Sequence, residues 1–302
     1  MIVIPSLNTS RDVIVLASGW RRGAVQRAER ALVRPGGKPL NVARFLGVMG
    51  VPCRLVVLAD ALLADETMAM LPAAVSAARI LSESPSRTDV AIVDDRGGLT
   101  VFNAPPPALD PAGLDAALAA VGAALSPGDL LVIAGSQPLG AVAQLVELTR
   151  ATSARLVVDA SGTDLVEALT ARPELVKLTA EELAAAGGGT AGTPSGSDDA
   201  VEAVWDDGRA FVPEARNVVV TRGDRGLRAW LADGAYVDVP AVKTRVVNPL
   251  GAGDAVTAAL VAALSRGTEL REGLYEAARW AGAVVGELGL DLDPSVMAGA
   301  QP

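Results

Sequence analysis

Residues 246–258 read Val-Val-Asn-Pro-Leu-Gly-Ala-Gly-Asp-Ala-Val-Thr-Ala, and they say more about the fold than any other stretch of the 302-residue chain. The segment Gly251-Ala252-Gly253-Asp254 sets a turn poor in side chains directly before a carboxylate. Ala255 to Leu264 follows without Gly or Pro and is rich in helix formers, which predicts a helix beginning at the turn. Such a turn can aim several backbone N–H groups at an anion while the helix N-terminus adds its partial positive charge. The segment therefore reads as a phosphate cradle with a carboxylate base attached. The same letters also suit a glycine turn capped by Asp, which many α/β proteins contain.

Composition restricts the chemistry further. The chain has no histidine and a single cysteine, Cys53, which excludes histidine bases, histidine metal sites, intrachain disulfides and thiolate clusters. Acid–base work then falls to Asp, Glu, Lys or Tyr. A net charge of -9 argues against a nucleic-acid partner, because neutralising a phosphate backbone needs clustered cations. No apolar run approaches the roughly 18 residues of a membrane span. The start, Met-Ile-Val-Ile-Pro, has no basic stretch ahead of an apolar core, so a soluble cytoplasmic protein without a membrane partner is expected. Only Lys38, Lys177 and Lys243 among the 26 basic residues are lysines. Compact ammonium groups kept at so few places suggest point-charge roles, with chance as the alternative.

Working outward from the turn, strand-like and helix-like stretches alternate. Leu55 to Leu58, Leu130 to Ala134, Leu156 to Asp159 and Val218 to Thr221 are short apolar runs of the kind buried on both faces. Pro111 to Leu125 and Val142 to Thr149 read as helices between them. This is the βαβ pattern of a mostly parallel sheet with helices on both sides. Two regions break the rhythm, about residues 11–34 and 85–104, with the strands Asp12 to Ala17, Asp89 to Val93 and Leu99 to Asn103. They predict a small antiparallel lid inserted into one domain spanning residues 1–302.

Two further glycine-rich segments need sorting. Gly187, Gly189 and Gly192 have dinucleotide-fingerprint spacing but follow the helix-like Glu181 to Ala186 instead of a strand, so a surface loop is expected. Gly36-Gly37-Lys38-Pro39-Leu40-Asn41 precedes a helix whose apolar positions are Val42, Phe45, Leu46 and Met49 and which Gly50-Val51-Pro52 stops. There the glycines let backbone approach a ligand, Lys38 supplies charge, and Asn41 offers both donor and acceptor. A plain helix cap with a solvated lysine is the alternative.

The motifs also have an order. Asn8 and Asp12, Gly36-Gly37-Lys38 with Asn41-Val42-Ala43, Gly135-Ser136-Gln137-Pro138, Lys177 with Glu182, Thr221-Arg222-Gly223-Asp224-Arg225-Gly226, and Gly251-Ala252-Gly253-Asp254 follow one another along the chain. This series resembles the ribokinase-like, PfkB-type carbohydrate kinases, most of all the 1-phosphofructokinase and tagatose-6-phosphate kinase branch. The resemblance implies a three-layer α/β/α sandwich with a mostly parallel central sheet and a small antiparallel β lid. It also implies transfer of a phosphoryl group from ATP, with Mg²⁺ arriving on the nucleotide, to a hydroxyl of a small sugar or sugar phosphate. Asp254 matches the family's base, and Gly251, Ala252 and Gly253 match its anion hole. Asp12, Gly36, Gly37, Lys38, Asn41 and Arg87 match the sugar-contact positions, Arg87 being the one that meets a substrate phosphate. Lys177, Glu182, Thr221, Gly223 and Gly226 match the nucleotide side, no residue matches a dedicated metal ligand, and a homodimer through the lid is implied.

Several positions depart from the family pattern. Pro39 replaces a glycine, Ala91 stands where the sugar-phosphate branch often has Lys, Thr179 replaces the amide of Asn-x-x-Glu, and Pro249-Leu250 precedes the anion hole. These departures keep two alternatives in play: a kinase for a neutral sugar or nucleoside, and a non-catalytic sugar-phosphate-binding protein of the same fold.

Overall fold

The structure is a computed structural model that describes residues 1–94, 98–108, 110–186 and 212–286. From the N-terminus, β1 (Ile2–Ser6) leads to β2 (Ser10–Leu16), β3 (Arg30–Gly36), α1 (Lys38–Val48), β4 (Cys53–Ala59), α2 (Ala61–Ala69), β5 (Val75–Leu81), β6 (Arg87–Val93) and β7 (Leu99–Phe102). Then come α3 (Pro111–Ala124), β8 (Leu130–Ala134), α4 (Ala141–Thr152), β9 (Arg155–Asp159), α5 (Gly162–Leu169), β10 (Leu175–Thr179) and α6 (Ala180–Ala186). Last are β11 (Asn217–Thr221), β12 (Leu227–Trp230), β13 (Tyr236–Val239), α7 (Ala252–Arg266) and α8 (Leu270–Val285). Gly187, Gly189 and Gly192 lie outside the described residues.

Nine strands form one sheet in the order β13-β12-β11-β10-β9-β8-β1-β4-β5. All pairs are parallel except β11/β12 and β12/β13. The parallel interior explains the unbroken apolar runs, since β1 and β8 are buried along their whole length. Two cores cover the two faces. Leu40, Phe45 and Leu63 from α1 and α2 join Leu260 and Leu274 from α7 and α8 on one side. On the other, Leu114, Leu145, Leu165 and Leu183 come from α3 to α6. Helix starts follow local chemistry: Asp60 and Asp110 accept N–H bonds from Leu63 and Gly113, and Pro111 opens α3.

The remaining strands form a four-stranded sheet in the order β3-β2-β6-β7. Its two outer pairs are antiparallel as expected, but β2 and β6 run parallel at its centre, which corrects the purely antiparallel lid. The reason lies in the larger sheet. β1 and β5 point the same way there, and after a short connection each continues into a lid strand, so β2 and β6 keep a common direction. Among the described residues no helix is long and apolar enough to cross a membrane.

Candidate active site

Strand order changes direction at β1: the chain moves from β1 to β4 and β5 on one side, then returns to β8 and continues through β9, β10 and β11 on the other. In open parallel sheets the crevice beyond the strand C-termini at such a switch point is where ligands bind. A cleft of about 600 Å³ lies there, roofed by the lid sheet and lined from β1 by Asn8, from β8 by Gly135 to Gln137, and from the α7 turn by Pro249, Leu250, Gly251, Gly253 and Asp254. Asn8 Nδ2 crosses the switch point to donate to Ser136 Oγ at 3.2 Å.

The helix expected from Ala255 starts three residues earlier, at Ala252. Gly251 caps it at φ 84°, the left-handed region that favours glycine, so Ala252, Gly253 and Asp254 form its first turn. N–H groups of a first turn have no intrahelical partner; here Ala252 N–H donates to the Pro249 carbonyl at 3.4 Å, while Gly253 and Asp254 line the cleft. Leu250 packs with Ile14, Ala91 and Val93 of the lid, which ties the turn to the roof.

Beneath that turn lies a charge cluster that local sequence did not disclose. Asp159, at the end of β9, is fully buried and receives Lys177 Nζ at 3.2 and 3.3 Å and Lys38 Nζ at 3.1 Å. Thr257 Oγ1, one turn along α7, donates to Asp159 Oδ2 at 2.5 Å and sits 3.1 Å from the Gly253 carbonyl. Lys177 is 1% exposed, and its Nζ would lie 3.1 Å from a Cβ added at Gly253, so any larger residue would push the ammonium by a few tenths of an ångström. The scarcity of lysine thus had meaning at two positions; Lys243 is exposed. A lone carboxylate closing an apolar parallel strand was the available signal for Asp159.

Two carboxylates of this cluster are driven in opposite directions. Burial raises Asp159, but the Lys177 and Lys38 ammoniums overcome it and hold its carboxyl at about 2. Burial pushes Asp254 up to about 6; Lys38 opposes that rise and the Asp159 charge adds to it. Lys38 in turn is held well above the usual ammonium range, chiefly by Asp159. Asp254 has one direct partner, Asn41 Nδ2, which donates to its Oδ2 at 2.8 Å. Asn41, expected as a sugar contact, therefore first of all orients the candidate base.

The other expected residues fall into groups. Asp12, Gly37, Lys38, Asn41, Arg87 and Lys177 line the cleft with Asp254. Gly36 lies under Asp12, whose carboxylate occupies the space a Cβ at Gly36 would need. Burial raises Asp12, against the hydrogen bond from Ser10 Oγ at 2.7 Å. Pro39 sits in the first turn of α1, where a missing N–H costs no helical bond. Thr179 and Glu182 form a reciprocal cap on α6: Thr179 N–H donates to Glu182 Oε2 at 2.8 Å and Glu182 N–H to Thr179 Oγ1 at 3.2 Å. The hydroxyl thus replaces the amide as a cap, and the other oxygen of Glu182 stands 3.6 Å from Lys38 Nζ.

Thr221, Gly223 and Gly226 are not brought to the cleft wall. Thr221 ends β11 in register with Thr179, which does line it, and Gly223–Arg225 forms a single 3₁₀ turn beyond. Gly226 is required by backbone: φ is +83° and an added Cβ would lie 2.1 Å from the Val239 carbonyl.

A three-layer sandwich with a small sheet roofing its switch-point cleft defines the ribokinase-like class. The chain superposes on Arabidopsis thaliana ribokinase complexed with ribose and ATP at a TM-score of 0.70, with 17% identity and coverage of 99% of this chain and 97% of that one. On Escherichia coli phosphofructokinase-2 in complex with substrates and products the TM-score is 0.82, with 22% identity and coverage of 99% and 98%. Within this class, residues 3–295 match the pfkB family carbohydrate kinases. The 1-phosphofructokinase of Rhodobacter capsulatus is 33% identical over 304 residues, 97% of this chain and 93% of that protein. The chain belongs to the pfkB family of carbohydrate kinases and is a sugar kinase.

Proposed function

We propose that the protein transfers the terminal phosphoryl group of ATP to a hydroxyl of a small sugar, with Asp254 as the base that takes the hydroxyl proton. The observation that carries this reading is a buried carboxylate, held by Asn41 and raised to about 6, in the first turn of a helix of which Gly253 and Asp254 line the same cleft. A base with that affinity for protons is ionised at neutral pH and still binds a proton usefully. The first-turn N–H groups and Lys38 offset the charge that gathers on the phosphoryl oxygens during transfer. Closure of the lid keeps water from competing with the sugar.

ATP enters from the side of Thr221, Gly223 and Gly226, beside Thr179 at the strand ends. Among the described residues no group of three acidic, histidine or cysteine side chains could cage a cation, and Asp159 and Glu182 already have lysine partners. Mg²⁺ would arrive with the nucleotide and would offset phosphate charge there. Relatedness to 1-phosphofructokinases supports a sugar phosphate such as fructose 1-phosphate as acceptor. A neutral sugar is the second reading, favoured by the pairing of Arg87 with Asp89 at 3.2 Å. The outer row Val33, Val13, Val90 and Phe102 runs in register across the four lid strands, and its exposed Val33 and Phe102 support a homodimer through the lid. A screen of neutral and phosphorylated sugars for acceptor-dependent ADP formation with ATP and Mg²⁺ tests the reaction. ADP release that no acceptor stimulates would leave only the binding-protein alternative.

A further inference from the structure

We infer that Asp89 is a specificity-determining residue of this cleft and that it selects an uncharged, hydroxyl-rich acceptor over a phosphorylated one. The inference rests on the sugar-kinase reading above and, of its two acceptor classes, takes the second, the neutral sugar.

Among the described residues the lid contributes Asp12, Arg87 and Asp89 to the cleft wall, while Arg34, opposite Asp12 on β3, is not part of that wall. Arg87, the cation of this set, is already matched. Its Nη1 lies 3.2 Å from Asp89 Oδ2, both side chains are about nine-tenths buried, and its Nε reaches the Asn8 carbonyl at 3.4 Å. Asp89 is fixed in its turn, because Oδ1 accepts the Ala104 N–H at 2.9 Å. Asp12 and Asp89 stand directly opposite each other on the parallel strands β2 and β6; Arg34 partly offsets the Asp12 charge, whereas on the cleft side the cation facing the two carboxylates is the Arg87 already paired with Asp89. The next inward position on β6 is Ala91, which brings no cation. A phosphate monoester entering this end must compete with Asp89 for one guanidinium while lying beside two carboxylates. At such separations in a partly desolvated cleft, like-charge repulsion weighs heavily against its entry.

The hydrogen-bonding inventory points the same way. Asn8 Oδ1, Asn41 Oδ1 and Gln137 Oε1 are buried acceptors that no donor among the described residues meets, and all three belong to residues lining the cleft. Together with the carboxylates of Asp12 and Asp89 they make this end a set of acceptors. Sugar hydroxyls donate to such groups, whereas a phosphate dianion brings only further acceptors.

Asp89→Asn removes the charge and keeps an oxygen for the Ala104 N–H, so it separates electrostatics from packing. Calorimetric titration without nucleotide, using fructose 1-phosphate and fructose as probes, reads binding directly. The expected result is at least tenfold tighter fructose 1-phosphate binding by Asp89→Asn, with the ratio of kcat/KM for fructose 1-phosphate over fructose rising by a similar factor. Asp89→Glu keeps the charge and should keep the wild-type preference. Unchanged or weaker fructose 1-phosphate binding in Asp89→Asn overturns the inference, since Asp89 would then serve to hold Arg87 toward the phosphate. Equal gains in the Asn and Glu variants also overturn it, because the effect would be one of packing. The titration needs no turnover, so a chain that forms no ADP with any acceptor counts against the kinase reading while the role of Asp89 is still decided by binding.

Discussion

Beneath the first turn of α7, Asp159, Lys38, Lys177 and Thr257 are locked into a cluster whose central carboxylate is fully buried, and Asp254 stands directly above it. At the other end of the same cleft, Asp12, Arg87 and Asp89 sit on strands of a small separate sheet, and that sheet packs a modest apolar patch of Ile14, Ala91 and Val93 against Leu250. The difference assigns different consequences to mutation. Residues under α7 are held by groups that have no solvent to replace them, so a change there is felt in folding or in the reaction itself. Residues on the lid sit at the edge of the core, so a change there alters which acceptor is preferred. A kinase built this way can keep its phosphoryl-transfer machinery while the lid end diverges.

The largest effect should come from Asp254→Asn. Turnover is expected to fall about 10²- to 10⁴-fold while sugar binding persists, because a general base is lost but the shape of the site is kept. Near-normal turnover would dissolve the distinction between the two ends. The wild-type kcat/KM should rise about tenfold per pH unit below about 6 and flatten above it, following ionisation of Asp254. The sign for stability is opposite. Asp254 binds its proton more tightly folded than unfolded, so its contribution weakens as pH rises from about 4 through about 6. Asp254→Asn should therefore unfold at a higher temperature than the wild type at neutral pH, and a lower Tm would contradict the burial argument.

Next in size is Asp159→Asn, which leaves Lys177 buried without its counter-ion. A loss of about 3–5 kcal/mol is expected by denaturant titration, the cost of stranding one partner of a buried pair. The Asp159 contribution has the normal sign for a depressed carboxyl: it is present above about pH 4 and disappears as pH falls toward about 2. A cost below about 1 kcal/mol would place this cluster with exposed surface pairs and erase the contrast with the lid. The smallest effect should be that of Thr257→Val, about 1–2 kcal/mol for a buried carboxylate that loses one hydroxyl donor. Thr257→Ser should recover most of it, and equal losses in both variants would attribute the effect to packing.

Much of this was legible along the chain. Leu130–Ala134 is a strand with the bounds its apolar run suggested, and the helix read from Pro111 to Leu125 runs Pro111–Ala124. Gly251 to Asp254 read as a turn into a helix, and only the helix start shifted, because Gly-containing first turns have poor propensity yet are fixed here by Gly251 and the cluster below. The parallel centre of the lid was not legible, since strand direction there is inherited from β1 and β5. Nor were the roles of Asp159 and Thr257, which meet across 98 positions, or of Asp89, which faces Asp12 on another strand.

The sequence by itself determined the βαβ plan, the absence of histidine chemistry and of thiolate clusters, and a carboxylate beside a glycine turn. Tertiary structure alone decided which charges meet. Asn41 reaches Asp254 across 213 positions, Lys38 reaches Asp159 across 121, and Thr257 reaches Asp159 across 98. Such pairings depend on strand order and on burial, which removes the competing water and turns weak surface attractions into the forces that set the proton affinity of Asp254 and the occupancy of Arg87.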